Sequence, residues 1–240
     1  MQSDSLVIIP TYNEIENVEI IITAVFQLKK SFHILIVDDN SPDGTAQKVE
    51  ELQEKYPQAL HLEVRKEKSG LGTAYIHGFK WALDKDYEYV FEMDADFSHN
   101  PRDLVRLYNA CVRHGASMAI GSRYVKGVNV VNWPLQRVLL SYGASMYVKT
   151  ITGMKIHDPT AGFVCYKREV IETIDLDKIK FVGYAFQIEM KFKAHLQQFK
   201  MIEVPIIFKD RTRGKSKMNG KIINEAIFGV LSLKWNSFFK

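Results

Sequence analysis

The fold is decided by residues 6–39, which read LVIIPTYNEIENVEIIITAVFQLKKSFHILIVDD. Two short apolar runs, LVIIP at 6–10 and HILIVDD at 33–39, enclose an amphipathic stretch at 15–30. Short runs that are apolar throughout are typical of parallel strands buried on both faces, and the stretch between them is long enough for a crossover helix. The segment therefore predicts a βαβ unit.

The same alternation continues along the chain. It predicts further strands at 60–66, 87–94 and 117–124, and further helices at 43–56, 72–84 and 101–114. After residue 125 the pattern predicts a helix at 135–152, strands at 162–168 and 201–209, a helix at 185–198 and an amphipathic helix at 219–236. The predicted fold class is α/β, with a mostly parallel open sheet flanked by helices.

The composition is that of an ordinary globular protein. The chain has 240 residues, 46% of them hydrophobic and 25% charged, and no repeat or linker interrupts it, so a single domain over 1–240 is expected, with 219–240 as a C-terminal amphipathic element. Residues 1–10 lack the features of a signal peptide. Cys111 and Cys165 have no partner at metal-ligand spacing and are predicted to be buried, reduced thiols, which fits a cytoplasmic location.

Two carboxylates, Asp94 and Asp96, end the apolar run that begins at Tyr87. If the strand continues to them, they leave the same face, and at ~6–7 Å in an effective dielectric of ~20 they repel each other by about 2–3 kcal/mol. Mg2+ relieves such repulsion, because it takes carboxylate oxygens and shares them with substrate phosphates. The alternative, which the tripeptide alone slightly favours, is a solvated strand end before a helix capped by Asn100 with Pro101 at its first position.

Polar residues cluster where four predicted strands end. In an open parallel sheet, ligands bind beyond the carboxyl ends of the strands, so these residues are expected to line one cleft. That cleft would combine acidic groups for a metal with hydroxyls and a guanidinium for a phosphate. The residues are Pro10, Thr11, Tyr12, Asn13, Glu14, Asp38, Asp39, Asn40, Ser41, Asp94, Asp96, Ser122 and Arg123.

Two further motifs adjoin the predicted cleft. In GLGTAYIHG at 70–78, Tyr75 takes the place of the third glycine of a dinucleotide fingerprint, so Gly70 and Gly72 predict a tight strand-to-helix turn instead. The segment KDRTRGKSKMNGK at 209–221 carries six cations, which suit a solvated loop or a loop that folds over the cleft to bind pyrophosphate. Nucleic acid is not an expected partner, because no aromatic-rich basic motif accompanies the cations. His99 is expected on the surface.

Taken in order, these motifs give the chain a resemblance over nearly its whole length. It resembles the family 2 glycosyltransferases of the GT-A fold, and among them the catalytic subunits of dolichyl-phosphate (polyprenol-phosphate) mannosyltransferase. The motifs are IIPTYNE (8–14), VDDNSPDGT (37–45), GLGTAYIHG (70–78), MDADFSHNP (93–101), GSRY (121–124), AGF (161–163), GYAFQIEM (183–190) and VPIIFKDRTRGKSKM (204–218).

The resemblance implies roles for individual residues. Asp94, Asp96 and Ser98 would hold Mg2+ or Mn2+ against the diphosphate of a nucleotide sugar, with Ala95 beside the substrate. The nucleoside pocket would comprise Pro10, Tyr12, Glu14, Val37 and Asp39. The cations for donor and acceptor phosphates would be Arg123, Arg211 and Lys217, and those for the lipid phosphate would be Arg137 with Ser141. Asp96 and Arg123 are the expected catalytic residues.

The implied reaction is inverting, metal-dependent transfer of mannose from GDP-mannose to a dolichyl or undecaprenyl phosphate. A phosphate monoester has a second pKa of about 6 and is already anionic at neutral pH, so the acceptor needs no general base. Where relatives that glycosylate hydroxyls carry a Glu-Asp pair, this chain has Gln187, Ile188 and Glu189. Glu189 is accordingly expected to be structural.

Three alternatives stay open at this point. The nearest is a polyprenyl-phosphate glucosyltransferase that uses UDP-glucose. The second is a glycoside hydrolase, because carboxylates ~5–10 Å apart also suit hydrolysis. The third is a nucleotide-sugar-binding subunit without catalysis.

The resemblance also implies a membrane partner. Some family members carry C-terminal transmembrane helices, which this chain lacks, so it resembles the soluble catalytic subunits. The helices at 135–152 and 219–236 are candidates for lying on the bilayer surface, although their apolar stripes equally suit core packing. The implied partners are the polyprenyl phosphate, the cytoplasmic face of a membrane and small membrane-anchoring subunits.

Overall fold

Strands and helices alternate through the first half of the chain, as the sequence predicts. The computed structural model describes residues 2–183, 185–210 and 221–237, and residues 221–227 by their backbone alone. The strands are β1 Ser5–Thr11, β2 His33–Asp38, β3 Leu60–Val64, β4 Tyr89–Glu92, β5 Met118–Ser122, β6 Val130–Val131, β7 Val164–Lys167, β8 Met201–Pro205 and β9 Phe208–Lys209. The helices are α1 Val18–Phe26, α2 Thr45–Lys55, α3 Leu71–Leu83, α4 Asp103–His114, α5 Leu135–Thr152, α6 Arg168–Thr173, α7 Ala185–Leu196 and α8 Lys221–Asn236.

The main sheet has the strand order β3-β2-β1-β4-β7-β5-β8. Adjacent strands are parallel except at β7, which is antiparallel to both β4 and β5. The short strands β6 and β9 form a separate parallel pair. The predicted class, a mostly parallel α/β sheet flanked by helices, is confirmed.

The core lies on both faces of this sheet. One cluster joins the sheet to α3, α6 and α7, with contributions from α5 and α8, and the other joins it to α1, α2 and α4. Strands β1 and β2 are apolar at almost every position because both of their faces are covered. Cys111 and Cys165 are both buried, and their sulfur atoms lie 3.5 Å apart between α4 and β7.

Differences from the prediction lie where elements are short or end early. The predicted strand at 201–209 is two strands, because the chain leaves the main sheet after Pro205 and Phe208 pairs with Val130. Strand β6 and helix α6 are too short to show a period in the sequence. Helix α4 begins two residues later than predicted, since Pro101 and Arg102 form a turn in which Asn100 Oδ1 accepts the Arg102 N–H at 3.1 Å.

Among the helices that the structure describes, none is long and apolar enough to cross a membrane.

Candidate active site

Four loops meet at one edge of the sheet, where β1, β2, β4 and β5 end. These strands are parallel, so their carboxyl ends lie on the same side. The loop after β5 begins at Arg123. The Arg123 backbone N–H donates to Asp158, which lies in the segment that precedes β7. The four predicted strand ends therefore share one edge of the sheet, although Asp38 and Ser122 are buried there.

The acidic pair lies in a turn and not on a strand. Strand β4 ends at Glu92, so the premise that Asp94 and Asp96 share one face of an extended strand is wrong. The chain turns at 95–96, and Phe97 has a φ of 61°, in the left-handed region. The side chain of Asp94 is 37% exposed. The turn, not strand geometry, brings both carboxylates to the cleft.

His99 supports this turn from the interior. It is buried, so the expectation of a surface histidine is wrong. Its ring stacks on Phe163 with the centroids 4.7 Å apart, and its Nδ1 accepts the backbone N–H of Asp94 at 3.2 Å. Burial lowers the pKa of His99 to about 4, so the ring is neutral near pH 7 and can accept this hydrogen bond. His99 thus fixes the backbone from which Asp94 projects.

The oxygen atoms around the turn suit a hard cation. Asp96 Oδ1 accepts the Ser98 N–H at 3.0 Å, which folds the carboxylate and the hydroxyl into one turn. The Ser98 hydroxyl is buried and has no hydrogen-bond partner among the described residues. Among all the residues that the structure describes, no three or more His, Cys, Asp or Glu side chains are grouped so that they could hold a metal by themselves. Two carboxylates and a hydroxyl fit Mg2+ or Mn2+ that is completed by substrate phosphates.

The loops after β1 and β2 are joined by Asp38. Its Oδ2 accepts the Thr11 and Ser41 hydroxyls at 2.7 Å each, and its Oδ1 accepts the Ser41 N–H at 2.8 Å. Asn13 N–H donates to the Ser41 hydroxyl at 2.9 Å. Asp38 therefore holds the two loops against each other, and its own side chain is fully buried.

Asp39 is oriented by an arginine that the sequence analysis missed. Arg65 Nε donates to Asp39 Oδ1 at 2.6 Å, and the same guanidinium donates to Thr73 Oγ1 at 2.7 Å and to the Gly70 carbonyl at 3.3 Å. Burial raises the pKa of Asp39, and Arg65 opposes that rise. The guanidinium also ties the β2 loop to the start of α3.

The other predicted nucleoside residues lie on β1 and β2 or just after β1, and Val37 is fully buried in the core. Pro10 and Val37 are paired across β1 and β2. Glu14 is buried, and its Oε2 accepts Asn17 Nδ2 at 2.8 Å. The Lys68 ammonium lies 4.5 Å from the ring centroid of Tyr12, a cation–π contact.

Arg123 is held by a buried carboxylate, Asp158, which the sequence analysis also missed. Arg123 Nε and Nη2 donate to the two oxygens of Asp158 at 2.7 and 2.6 Å, and Nη2 also donates to Thr160 Oγ1 at 2.7 Å. Burial by itself would raise the pKa of Asp158, but the guanidinium outweighs it and holds that pKa below its usual range. The pair fixes Arg123 in the wall of the cleft.

The predicted lipid-phosphate residues lie one turn apart on α5. Arg137 Nη1 donates to Asp210 Oδ2 at 2.9 Å, and its guanidinium lies 4.0 Å from the Trp133 ring centroid. The Ser141 hydroxyl accepts the Tyr124 O–H at 2.8 Å, which brings it close to the Arg123 loop. Arg211 and Lys217 lie outside the described residues.

Two motifs have structural roles. Gly70 caps α3 with a φ of 106°, but Gly72 lies inside the helix, where a Cβ would approach the Phe186 ring to 2.8 Å. Gly72 thus serves close packing of α3 on α7 and not the turn. Glu189 is buried, and its Oε2 accepts the N–H groups of Lys180 and Phe181 at 2.8 and 3.1 Å, as expected of a structural residue.

The missed residues share a feature that explains why they were missed. Arg65 and Asp158 act through ion pairs with partners 26 and 35 residues away along the chain. The Asp-Pro pair at 158–159, just before a predicted strand, is a turn signal that could have pointed to Asp158.

Comparisons with known proteins identify relatives of the chain. Residues 6–175 match the family model described as Glycosyl transferase family 2. The chain is 49% identical over 226 residues to the polyprenol monophosphomannose synthase of Mycolicibacterium smegmatis, covering 94% of this chain and 85% of that protein. It is 41% identical over 234 residues to the undecaprenyl-phosphate mannosyltransferase of Micrococcus luteus, covering 96% and 95%.

Solved structures share the fold at much lower identity. The glucosyl-3-phosphoglycerate synthase of Mycobacterium tuberculosis, solved with Mn2+, UDP-glucose and phosphoglyceric acid, superposes with a TM-score of 0.69 at 15% identity. The alignment covers 96% of this chain and 79% of that one. At this identity the match supports the GT-A type of fold and leaves the choice of donor open.

Proposed function

Because this chain belongs to glycosyl transferase family 2, we propose that it transfers mannose from GDP-mannose to a polyprenyl phosphate with inversion at the anomeric carbon. The observation that carries the proposal is the agreement of two relatives that align over 94% and 96% of the chain. One is named for polyprenol monophosphomannose synthesis and the other for undecaprenyl-phosphate mannosyl transfer. Family membership makes the chain a glycosyltransferase and not a glycoside hydrolase.

The donor nucleoside would bind between the loops that follow β1 and β2. Tyr12 offers a ring face for a base, and Asp39 offers a carboxylate that Arg65 already orients. Pro10 and Glu14 would complete the pocket from β1 and its loop, and Val37 would support it from the core behind.

The diphosphate would meet a divalent cation held by Asp94, Asp96 and Ser98, with Ala95 between the carboxylates. Mg2+ or Mn2+ bound there would stabilise the negative charge that develops on the departing nucleoside diphosphate. The buried Ser98 hydroxyl supports this assignment, because a polar atom in the protein interior is normally paired. His99 would keep the Asp94 backbone in place while the substrate binds.

The transfer step needs positioning more than proton transfer. An oxygen of the lipid phosphate attacks the anomeric carbon from the face opposite to the leaving group, the bond from that carbon to the diphosphate oxygen breaks, and GDP leaves. The acceptor is already anionic near neutral pH, so no side chain has to remove a proton. Arg123 and Arg137 would place the two phosphates, since their guanidiniums lie near each other, 5.8 and 4.0 Å from the centroid of the Trp133 ring.

The face formed by α5 and α8 would contact the membrane that carries the acceptor. Apolar side chains on both helices are unusually exposed, and a large exposed apolar surface commonly marks an interaction site. These side chains are Leu135, Leu139, Leu140, Tyr142 and Met146 on α5, and Phe228, Leu231 and Trp235 on α8. The proposed location is therefore the cytoplasmic face of a membrane, with or without small anchoring subunits. Vesicle co-sedimentation that Leu231→Glu leaves unchanged would contradict membrane contact through α8.

UDP-glucose is the second candidate donor, because an enzyme of the same fold was solved with it. The deciding experiment incubates the protein with Mn2+ or Mg2+ and a short polyprenyl phosphate, with GDP-mannose and UDP-glucose in separate reactions, and detects the lipid product by mass spectrometry. Polyprenyl-phosphate mannose from GDP-mannose alone is expected. Product from UDP-glucose alone would overturn the donor, and a polyprenol without phosphate is the control that should give no product.

A further inference from the structure

A buried cation lies behind the site and has no part in the transfer step described above. The side chain of Lys191, on α7, is fully buried, and so are those of Glu92 and Gln187 beside it. Lysine is almost never fully buried unless it is paired. Burial lowers the pKa of Lys191 to about 8, so the ammonium remains largely charged at neutral pH.

Lys191 connects two parts of the site by hydrogen bonds. Its Nζ donates to the Ala161 carbonyl at 2.6 Å and to Gln187 Oε1 at 3.0 Å, and it also reaches the Gln187 carbonyl at 3.1 Å. Gln187 Nε2 donates in turn to Glu92 Oε2 at 2.9 Å. The chain of contacts runs from the strand that precedes the acidic pair to the loop that precedes β7.

That loop, residues 158–162, is the one that holds Arg123. Ala161 N–H donates to the Asp158 carbonyl at 3.3 Å, and the Asp158 carboxylate binds the Arg123 guanidinium through both oxygens. Ala161, Gly162 and Arg123 line a small cavity together with His99, which supports the acidic turn. Ala161 therefore lies between Arg123 on one side of this cavity and His99, the support of the acidic turn, on the other.

Packing alone does not require a lysine at this position. An unbranched apolar side chain of similar length would fill the same space, and buried ion pairs can often be replaced by apolar residues without loss of stability. The ammonium supplies what an apolar chain lacks, which is a charged donor aimed at the Ala161 carbonyl. Charge-assisted hydrogen bonds are shorter and stronger than neutral ones, in keeping with the 2.6 Å contact.

We propose that Lys191 is a positioning residue for glycosyl transfer: it fixes the 158–162 loop through Ala161 and thereby sets the guanidinium of Arg123 in the cleft. This inference rests on the proposed function, because it assigns Arg123 to the phosphates. It predicts that loss of Lys191 slows the transfer step more than it weakens donor binding, since the nucleoside pocket is built by the loops after β1 and β2.

The first test measures steady-state kinetics of Lys191→Met with the donor that the unaltered protein turns over. We expect kcat to fall at least tenfold while the donor KM changes less than threefold. Lys200→Met is the control, because Lys200 Nζ donates to the His114 carbonyl at 2.7 Å, near the amino ends of β5 and β8 and away from Ala161. The control should keep both constants within twofold.

The second test does not depend on activity and separates a failure of this inference from a failure of the proposed function. Hydrogen–deuterium exchange is measured on peptides that cover residues 158–163. Exchange there should be at least tenfold faster in Lys191→Met than in the unaltered protein, and unchanged in Lys200→Met. If Lys191→Met does not fold, Lys191→Met/Glu92→Gln replaces it, because the double variant leaves no uncompensated carboxylate in the interior.

The two readouts decide the inference together. Faster exchange at 158–163 with a tenfold loss of kcat and a preserved donor KM supports it. Unchanged exchange overturns it, whether or not the protein turns over the proposed substrates. A kcat within threefold of the unaltered protein also overturns it, as does a loss that appears only in the donor KM.

Discussion

Two acidic pairs lie at the carboxyl ends of β2 and β4, the strands on either side of β1, and look alike in the sequence, yet the structure uses them differently. Asp38 ends β2 and Asp39 follows it, and their carboxylates are buried against hydroxyls, a backbone N–H and Arg65. Asp94 and Asp96 follow β4 in a turn, and the Asp94 side chain is 37% exposed. The first pair is held by hydroxyls and a guanidinium, whereas the second combines a buried Asp96, which accepts the Ser98 N–H, with a partly exposed Asp94.

The comparison teaches that adjacent carboxylates do not by themselves indicate a metal site. The pairs differ in the exposure of Asp94 and in how the neighbouring hydroxyls are used. Thr11, Ser41 and Arg65 surround the first pair, whereas a buried hydroxyl of Ser98 without a described partner adjoins the second. We expect substitutions in the first pair to affect folding or donor affinity, and substitutions in the second to affect turnover.

The largest effect is expected for Asp96→Asn. The amide removes one of the two charges proposed to hold the cation, so kcat should fall by about 10³-fold or more, which corresponds to ~4 kcal/mol. The amide oxygen can still accept the Ser98 N–H, so the melting temperature should move by no more than about 2 °C.

The control for that variant is Asp103→Asn, a nearby carboxylate that pairs with Arg106 in the first turn of α4. It should keep kcat within about twofold, because its carboxylate binds within its own helix. An Asp96→Asn enzyme that kept more than a tenth of the original kcat at saturating Mn2+ would refute the role of the second pair.

Asp38→Ala should have the next largest effect, and it should act on stability. Three donors from Thr11 and Ser41 would lose their acceptor inside the protein, at about 1–3 kcal/mol for each unsatisfied group, so we expect a total loss of about 3 kcal/mol. The measurement is the urea midpoint at constant m-value. Asp84→Ala, at an exposed carboxylate, is the control and should leave the midpoint unchanged.

The fold was predictable because its signals are local. Apolar runs and helical periods each occupy fewer than about twenty residues, and they placed every strand of the first βαβ units. The antiparallel direction of β7 was not predictable from such signals, because it depends on which strands β7 lies between. Strand β4 illustrates the limit at boundaries: its apolar run continues to Met93, but the ladder stops at Glu92.

The candidate site was predictable in its location and less so in its contacts. The strand-end rule placed the two acidic pairs and Arg123 on one edge, since that follows from parallel strands alone. The pairing of Arg65 with Asp39 and of Asp158 with Arg123 was not predictable, because the partners lie 26 and 35 residues apart, and only the turn signal at 158–159 pointed to Asp158. The burial of His99 was missed for the same reason, as Phe163 and Phe208 cover its ring from other parts of the chain.

A smaller effect is expected for Arg65→Met, which removes the cation from the first pair. Asp39 would lose its 2.6 Å partner and its orientation, so the affinity for GDP should fall about tenfold, or ~1.4 kcal/mol, while kcat stays within threefold. Isothermal titration with GDP in the presence of Mn2+ measures the change. Arg106→Met is the control, because that guanidinium is 47% exposed and pairs within α4.

If Arg65→Met lowered kcat and left GDP affinity intact, the division of labour between the two pairs would be wrong. The first pair would then take part in the transfer step, and Asp39 would have to be moved from nucleoside binding to chemistry.

The smallest effect is expected for Ser98→Ala, and it sharpens the comparison most. If the hydroxyl ligates the cation, its loss should weaken Mn2+ binding by about threefold to tenfold, since one neutral ligand among several is removed and each factor of ten is ~1.4 kcal/mol. If the hydroxyl is only a buried polar atom without a partner, its removal should leave Mn2+ affinity unchanged and raise the urea midpoint, because the desolvation penalty disappears. Titration of Mn2+ in the presence of GDP, paired with urea unfolding of the metal-free protein, separates the two cases. The hydroxyls beside the first pair, those of Thr11 and Ser41, both donate to Asp38. A ligand role for Ser98 would show that the pairs differ chiefly in whether the neighbouring hydroxyl donates a hydrogen bond to the carboxylate or offers its oxygen to a cation.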